Sequence, residues 1–267
     1  MRTSFSTLAC PEWSLACAIE AAQCHGYDGV EIRVINQSVD LLSQAELSGD
    51  GLRESATRLK DANIAVPCVG TGACLHWPSA LRRQLDIEAV LRHTEMAQLL
   101  EAPFLRVFGD RIQDSATHRD TERWITDALD ELRSRMQGSG VDVLLETHGD
   151  FSSDSQLEFL GEECGLIWDP ANAFADMGEQ PVISSAIRAQ IRHVHVKDLV
   201  RFMDRTYAFK LPGDGEFPLQ LMLSELRRIR YDGFVSFEWE RYWHPDLAPP
   251  ETALPAFATW WRREVPL

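Results

Sequence analysis

The sequence predicts a single-domain (β/α)8 TIM barrel over residues 1–267. Three observations carry that expectation. Strand-like and helix-like segments alternate eight times within 267 residues, the length and rhythm of such a barrel. No GxGxxG turn follows the first strand, so the main alternative, an open dinucleotide-binding sheet, has no support. Four consecutive late strands end in residue types that hold metals, and barrels of this kind build their sites at the carboxyl ends of strands.

The first strand is read at 3–9. Pro11 and Glu12 then open a helix that ends near His25 and Gly26, because proline in a first turn forfeits no needed hydrogen bond. Tyr27-Asp28-Gly29 turns the chain into a second strand at 30–34. A helix at 51–62, a strand at 65–73, a helix at 79–101 and a strand at 104–108 follow. Residues 124–136 form the clearest amphipathic helix. Ile125, Ala128, Leu129, Leu132 and Met136 fall on one face, and Gly138 and Gly140 stop it. Then come a strand at 141–146, a short helix at 155–164, a strand at 166–169 and a weaker helix at 183–190. The seventh strand is 192–197. Leu219, Met222, Leu223 and Leu226 mark the next helix, 234–239 is the eighth strand, and the closing helix carries Phe257, Trp260 and Trp261.

Exposed aromatics in that last helix hint at a self-association surface and a homo-oligomer. Tyr27-Asp28-Gly29-Val30 resembles Tyr231-Asp232-Gly233-Phe234, which shared turn chemistry explains. Residues 199–218 are the longest non-periodic stretch and are read as a lid. Within them Lys210-Leu-Pro-Gly-Asp-Gly215 lacks the ending of a phosphate-binding loop.

Composition narrows the partners. Lys plus Arg is 26 and Asp plus Glu is 41, a formal net charge of −15. Such a chain repels a phosphate backbone and an anionic bilayer, so neither nucleic acid nor membrane is expected. No apolar run approaches the ~20 residues of a transmembrane helix, and the first residues show no signal-peptide core. Six scattered cysteines without a CxxC pair read as reduced thiols, which places the protein in the cytoplasm. Cys17 and Cys24 fall at helical spacing, which points to packing.

The fifth strand ends in Glu146, the sixth in Asp169, the seventh carries His195 and the eighth Glu238. One carboxylate at a strand end is usually just solvated. Four on neighbouring strands ~5 Å apart can converge on one ion. Alternation agrees: His193, His195 and Lys197 share one face of the seventh strand, opposite Val194 and Val196. Ser236 and Glu238 share a face of the eighth. Interior charge is costly unless paired or metal-bound. Pro170 holds Asp169 extended.

These same residues carry a resemblance. Gly29-Val-Glu-Ile-Arg33, Leu144-Leu-Glu-Thr-His148, Trp168-Asp-Pro-Ala-Asn172, His193-Val-His-Val-Lys-Asp198 and Phe237-Glu238 resemble the xylose-isomerase-like TIM barrels. More narrowly they resemble the sugar (phosphate) isomerase/epimerase group, which includes ketose 3-epimerases, inosose dehydratase, keto-inositol isomerase and hydroxypyruvate isomerase. The resemblance implies metal ligands at Glu146, Asp169, His195 and Glu238, and a substrate-binding arginine at Arg201. Two positions depart from the ketose 3-epimerases: Asn172 stands where they have a histidine, and Ser152 where they have a second glutamate. Asn172 matches dehydratase-like relatives.

Three carboxylates and an imidazole favour one hard divalent ion: Mn²⁺ first, with Co²⁺, Mg²⁺ or Zn²⁺ also compatible. The substrate expected is a small sugar or polyol-derived ketone. Glu146 and Glu238 would flank the reacting carbon as proton acceptor and donor. Epimerisation, isomerisation and dehydration share that first proton abstraction, so a keto-inositol or keto-sugar dehydratase or lyase is the alternative. Lys197 is a further acid, unless Asp198 pairs it off. Glu31 and Arg33 share a face and either bridge each other or meet substrate. Arg106 should face inward onto a carboxylate, Glu31 or a ligand glutamate. His148 at the mouth could orient substrate or act as an acid, and His76 with Trp77 could meet a sugar face. His193 reads as a deeper structural histidine, and His25, His93, His118 and His244 as surface or cap residues. Two rivals remain: a three-zinc phosphodiester hydrolase like endonuclease IV, which needs more strand-end histidines, and a non-catalytic sugar- or metal-binding barrel, which needs no pair of carboxylates poised for proton transfer.

Overall fold

The computed structural model describes residues 1–204 and 206–265. Eight strands, all paired in parallel, form the barrel wall: β1 (Arg2–Ser6), β2 (Gly29–Glu31), β3 (Val69–Cys74), β4 (Phe104–Phe108), β5 (Asp142–Glu146), β6 (Gly165–Trp168), β7 (Ile191–Val196) and, after a small hairpin of β8 (Asp198–Arg201) and β9 (Tyr207–Lys210), β10 (Phe234–Phe237). The order is β2-β1-β10-β7-β6-β5-β4-β3. Parallel bridges Gly29↔Ala65 and Ile32↔Val69 join β2 to the β3 segment and close the ring. The helices are α1 (Leu15–His25), α2 (Gly49–Ala62), α3 (Ala80–Arg92), α4 (Thr94–Leu99), α5 (His118–Met136), α6 (Pro170–Met177), α7 (Leu219–Arg228) and α8 (Pro250–Glu264). No described helix is long and apolar enough to cross a membrane.

The wall follows from alternation. Val194, Val196, Val235 and Phe237 point outward into the main apolar core with no more than 1% exposure. The other face of the same strands points into the barrel. There Cys68, Leu144 and Ile167 form a separate apolar layer, with Phe104 against it. Gly165 lets the strands close up at that level, because a Cβ there would have to displace the Leu144 side chain.

Several boundaries differ from expectation, each for a local reason. Helix α1 starts at Leu15, not at Pro11, because the Ser14 hydroxyl caps Cys17 N–H while the Pro11 carbonyl accepts from Gln37. The helix expected at 79–101 breaks at His93, whose Nδ1 lies 2.7 Å from the Ala89 carbonyl, into α3 and α4. The expected helices at 155–164 and 183–190 are single turns and loops. Each offers too few apolar anchors, such as Ile183 and Ile187, to offset the cost of a helical nucleus. Helix α6 was not anticipated, although its signals are plain: Asp169 caps it, Pro170 is its first residue, and Gly178 ends it at φ 73°. The stretch 199–218 holds the β8–β9 hairpin. The closing aromatics Phe257, Trp260 and Trp261 are buried at 0%, 4% and 8% exposure, so they are core and offer no self-association surface. Cys17 and Cys24, expected to pack, are exposed.

Candidate metal centre

Each ligand candidate sits where its strand reaches the mouth. Glu146 closes β5, His195 lies within β7 opposite Ser236, and Glu238 follows β10 with its N–H bonded to the Val196 carbonyl at 3.0 Å. Asp169 follows β6. Thr147 Oγ1 accepts its N–H at 2.7 Å, and its Oδ1 accepts from Ala171 at 3.1 Å as the α6 cap. The four donors lie within 4.8 Å of one another and are buried.

His195 is the centre of the arrangement. Its Nε2 lies 3.1 Å from both Glu31 oxygens. A carboxylate there assigns the proton to Nε2, which leaves a lone pair on Nδ1. That Nδ1 has no hydrogen-bond partner. It faces Glu238 Oε1 at 3.4 Å, Glu146 Oε1 at 3.7 Å and Asp169 Oδ2 at 3.9 Å. Donors held about 2 Å from one ion stand roughly 3–3.5 Å apart. A lone pair aimed at three carboxylate oxygens, with the ring fixed from behind, is the arrangement a divalent cation completes. The residues fit one metal ion.

Neighbouring cations hold the carboxylates in place. Arg106, on β4, donates from Nη1 to Glu146 Oε2 at 2.9 Å and lies 3.5 Å from Glu238 Oε1. Lys197 Nζ lies 2.8 Å from Glu238 Oε2, 2.6 Å from Glu240 Oε1 and 2.8 Å from Asp169 Oδ2, the last an ion pair without hydrogen-bond geometry. Burial raises every carboxyl here, and partners decide the outcome. Asp169 is pushed up to about 6 by burial, which Lys197 offsets only in part. At Glu146, the Arg106 guanidinium leads the partners that outweigh burial and hold the carboxyl well below its usual range. At Glu238, the Lys197 ammonium leads the partners that bring the carboxyl below its usual range. Burial disfavours the Lys197 charge, but Asp169 and Glu238 more than restore it.

The remaining candidates divide by position. A cavity of about 400 Å³ opens over the cluster and is lined by Glu146, Glu238, Lys197, Arg106 and His148, with Arg33 and Trp243 at its sides. That lies within the ~300–1,000 Å³ usual for small-molecule sites. His148 Nδ1 lies 3.1 Å from Asp110 Oδ1. Glu31 has no exposed surface. It forms no bridge to Arg33 and instead binds His193 at 2.8 Å and His195 from below, outside the cavity lining. His193 is thus the structural histidine expected. His76 is buried with its ring 4.2 Å from that of Trp77, also outside the lining.

Asn172 donates to the Thr147 carbonyl at 2.9 Å. Arg201 does not reach the cavity. Its guanidinium bonds the Ala175 and Asp176 carbonyls at 2.9 and 3.2 Å, at the end of α6. The β8–β9 hairpin turns it there, so sequence spacing from His195 misplaces it. Asp198 does not pair off Lys197 either. It accepts N–H groups from Leu199, Gly213, Gly215 and Phe217, pinning the loop expected to act as a lid.

Sequence reasoning missed Glu240 and Thr147. Glu240 lay within reach, since it continues the alternation of Ser236 and Glu238. Thr147 is the residue after a ligand, and no pattern marks its bond to Asp169.

Comparison with known proteins agrees with this fold. One curated relative, the rhizopine catabolism protein MocC of Rhizobium meliloti, is 27% identical over 144 residues, 46% of this chain and 44% of that protein. The chain thus matches less than half of that relative. Among solved structures, the IOLI protein with a bound zinc atom superposes with a TM-score of 0.83 at 19% identity over 100% of both chains. L-ribulose 3-epimerase superposes at 0.78 and 15% identity, over 99% of this chain and 94% of that one. The sequence profile of the xylose isomerase-like TIM barrels matches residues 19–264. The chain belongs to the xylose isomerase-like TIM barrel family.

Proposed function

We propose that this protein is a divalent-metal-dependent sugar isomerase or epimerase. It acts on a small sugar or polyol-derived ketone by moving a proton next to the carbonyl. The observation that carries the reading is His195: Nε2 held by Glu31, Nδ1 open toward Glu146, Asp169 and Glu238. The solved relatives that are an epimerase and a zinc-bound IOLI protein support it. Three carboxylates favour Mn²⁺, and the relative's zinc keeps Zn²⁺ in view.

A divalent ion in such a site polarises a ketone and offsets the negative charge that builds on its oxygens. The chain supplies the rest. Glu146, held ionised by Arg106, accepts the proton from the carbon beside the carbonyl. Glu238, held by Lys197 on the other side, accepts or returns it on the opposite face. Lys197 and His148 are the donors within the cavity for a proton delivered to oxygen. That pair favours a second reading, dehydration, in which one of them protonates a departing hydroxyl. Asn172, which resembles dehydratase-like relatives, fits that reading as well, although it bonds the Thr147 carbonyl outside the cavity lining.

Two measurements test the proposal. Elemental mass spectrometry of purified protein should find about one divalent ion per chain, lost in Asp169→Ala. Solvent deuterium should then enter a panel of ketoses and keto-inositols, with Glu238→Gln incorporating none. Near-normal turnover by Glu238→Gln would sink the proton shuttle. About three zincs per chain would favour the hydrolase instead, and no tight metal would overturn the reading.

A further inference from the structure

Arg33 follows β2 and lines the cavity with 6% of its surface exposed. Its backbone is fixed, because Thr7 Oγ1 accepts its N–H at 2.9 Å. Its guanidinium is not satisfied. Among the described residues it donates no hydrogen bond and has no carboxylate within 4.0 Å, and Nη1 is buried without a partner. The contrast with the other cations of the mouth is sharp: Arg106 and Lys197 each contact two or more carboxylates.

The chain makes room for this unpaired charge. Strand β3 presents Gly70 and Gly72 toward it. A Cβ at residue 70 would lie 2.7 Å from Arg33 Cδ and 3.2 Å from Arg106 Nη2, and one at residue 72 would lie 3.6 Å from Arg33 Nη2. Two side chains are therefore missing where the guanidinium passes into the mouth. Burial and Arg106 draw its pKa down to about 10, which leaves it charged at neutral pH. An unpaired buried charge is costly unless something completes it.

We infer that Arg33 is an anion subsite, and that the substrate carries one oxyanion, a carboxylate or a phosphate ester, which this guanidinium receives. The polyol part of that substrate rests on the sugar reading above. The anion part stands on Arg33 and its glycine cradle. A planar guanidinium fork matches either group through two parallel N–H bonds. Trp243, 52% exposed, lines the same cavity and offers an apolar face to the carbon skeleton.

The test compares D-gluconate, D-sorbitol and D-sorbitol 6-phosphate by calorimetric titration of the Mn²⁺-treated protein. Gluconate and sorbitol share a skeleton and differ in one terminal group. At least one anionic probe should bind about tenfold or more tighter than sorbitol, as a charged hydrogen-bond pair implies. The tighter of the two identifies the oxyanion. A carboxylate can also sit on a cation, so the ratio in Arg33→Met decides: it should fall to near one. Arg33→Lys keeps charge and stem, should retain part of the advantage, and serves if Arg33→Met does not fold. Equal binding of sorbitol and both anions, or an advantage unchanged in the variants, would overturn the inference. Metal content is read on the same samples. Protein without metal that keeps an Arg33-dependent advantage would sink the metal-dependent function and leave the anion subsite standing.

Discussion

The floor and the mouth of this barrel are built from the same strands and have opposite chemistry. On β5, Leu144 faces inward at the floor and Glu146 two residues later at the mouth. Along β6 and just past its end the pair is Ile167 and Asp169. The floor is held by excluding water and by close contact, as the approach of Gly165 to the Leu144 side chain shows. The mouth is just as buried, with Asp169 and His195 at 0% exposure, but its carboxylates are held by charged partners. Depth therefore does not separate structure from function inside the barrel. His195 Nδ1, Asp169 Oδ2 and Arg33 Nη1 lack hydrogen-bond partners at the mouth, whereas the layer of Cys68, Leu144 and Ile167 is apolar.

Substitutions at the two levels should separate cleanly. Leu144→Ala should lower the unfolding free energy by ~2–5 kcal/mol in denaturant titrations and leave metal content unchanged; lost metal would mean that the floor positions the ligands. Removing metal acts only at the mouth. With free ion at 100 times its dissociation constant, chelation should cost about 2.7 kcal/mol, seen as a lower melting temperature, and an unchanged curve would argue that the cluster holds no ion. Glu31→Gln probes the layer between. It weakens the hydrogen bond behind His195 and should reduce metal affinity ~10–100-fold in competition with a chromophoric chelator. Unaltered affinity would show that His195 needs no support. The smallest effect belongs to Arg201→Ala, which removes a cation from the end of α6. It should cost ~0.3–1 kcal/mol of stability and leave KM unchanged, whereas a raised KM would return Arg201 to the substrate.

The convergence of the four proposed ligands was legible because a strand repeats every two residues and a barrel gathers its sites at one end. His195 facing inward with Lys197 followed from alternation with Val194 and Val196. Partnership was not legible. Glu31 could have bridged Arg33, but His193 and His195, more than 160 residues away in sequence, claim it. Arg201 was placed by distance along the chain, and a hairpin turns it to α6. Helix α6 was written in Asp169, Pro170 and Gly178 and was overlooked because it is short. The C-terminal aromatics looked like an exposed face and proved to be core, since composition does not say which side of a helix meets the barrel.

Local pattern determined the eight-fold alternation, the inward face of each strand and the four residues that converge at the mouth, because these depend on periodicities of two and 3.6 residues. Tertiary structure decided which charges are satisfied. Pairing depends on distances of about 3 Å between groups on different strands, and no spacing along the chain encodes those distances. Closure of the barrel sets them, and in doing so leaves His195 Nδ1 and Arg33 open.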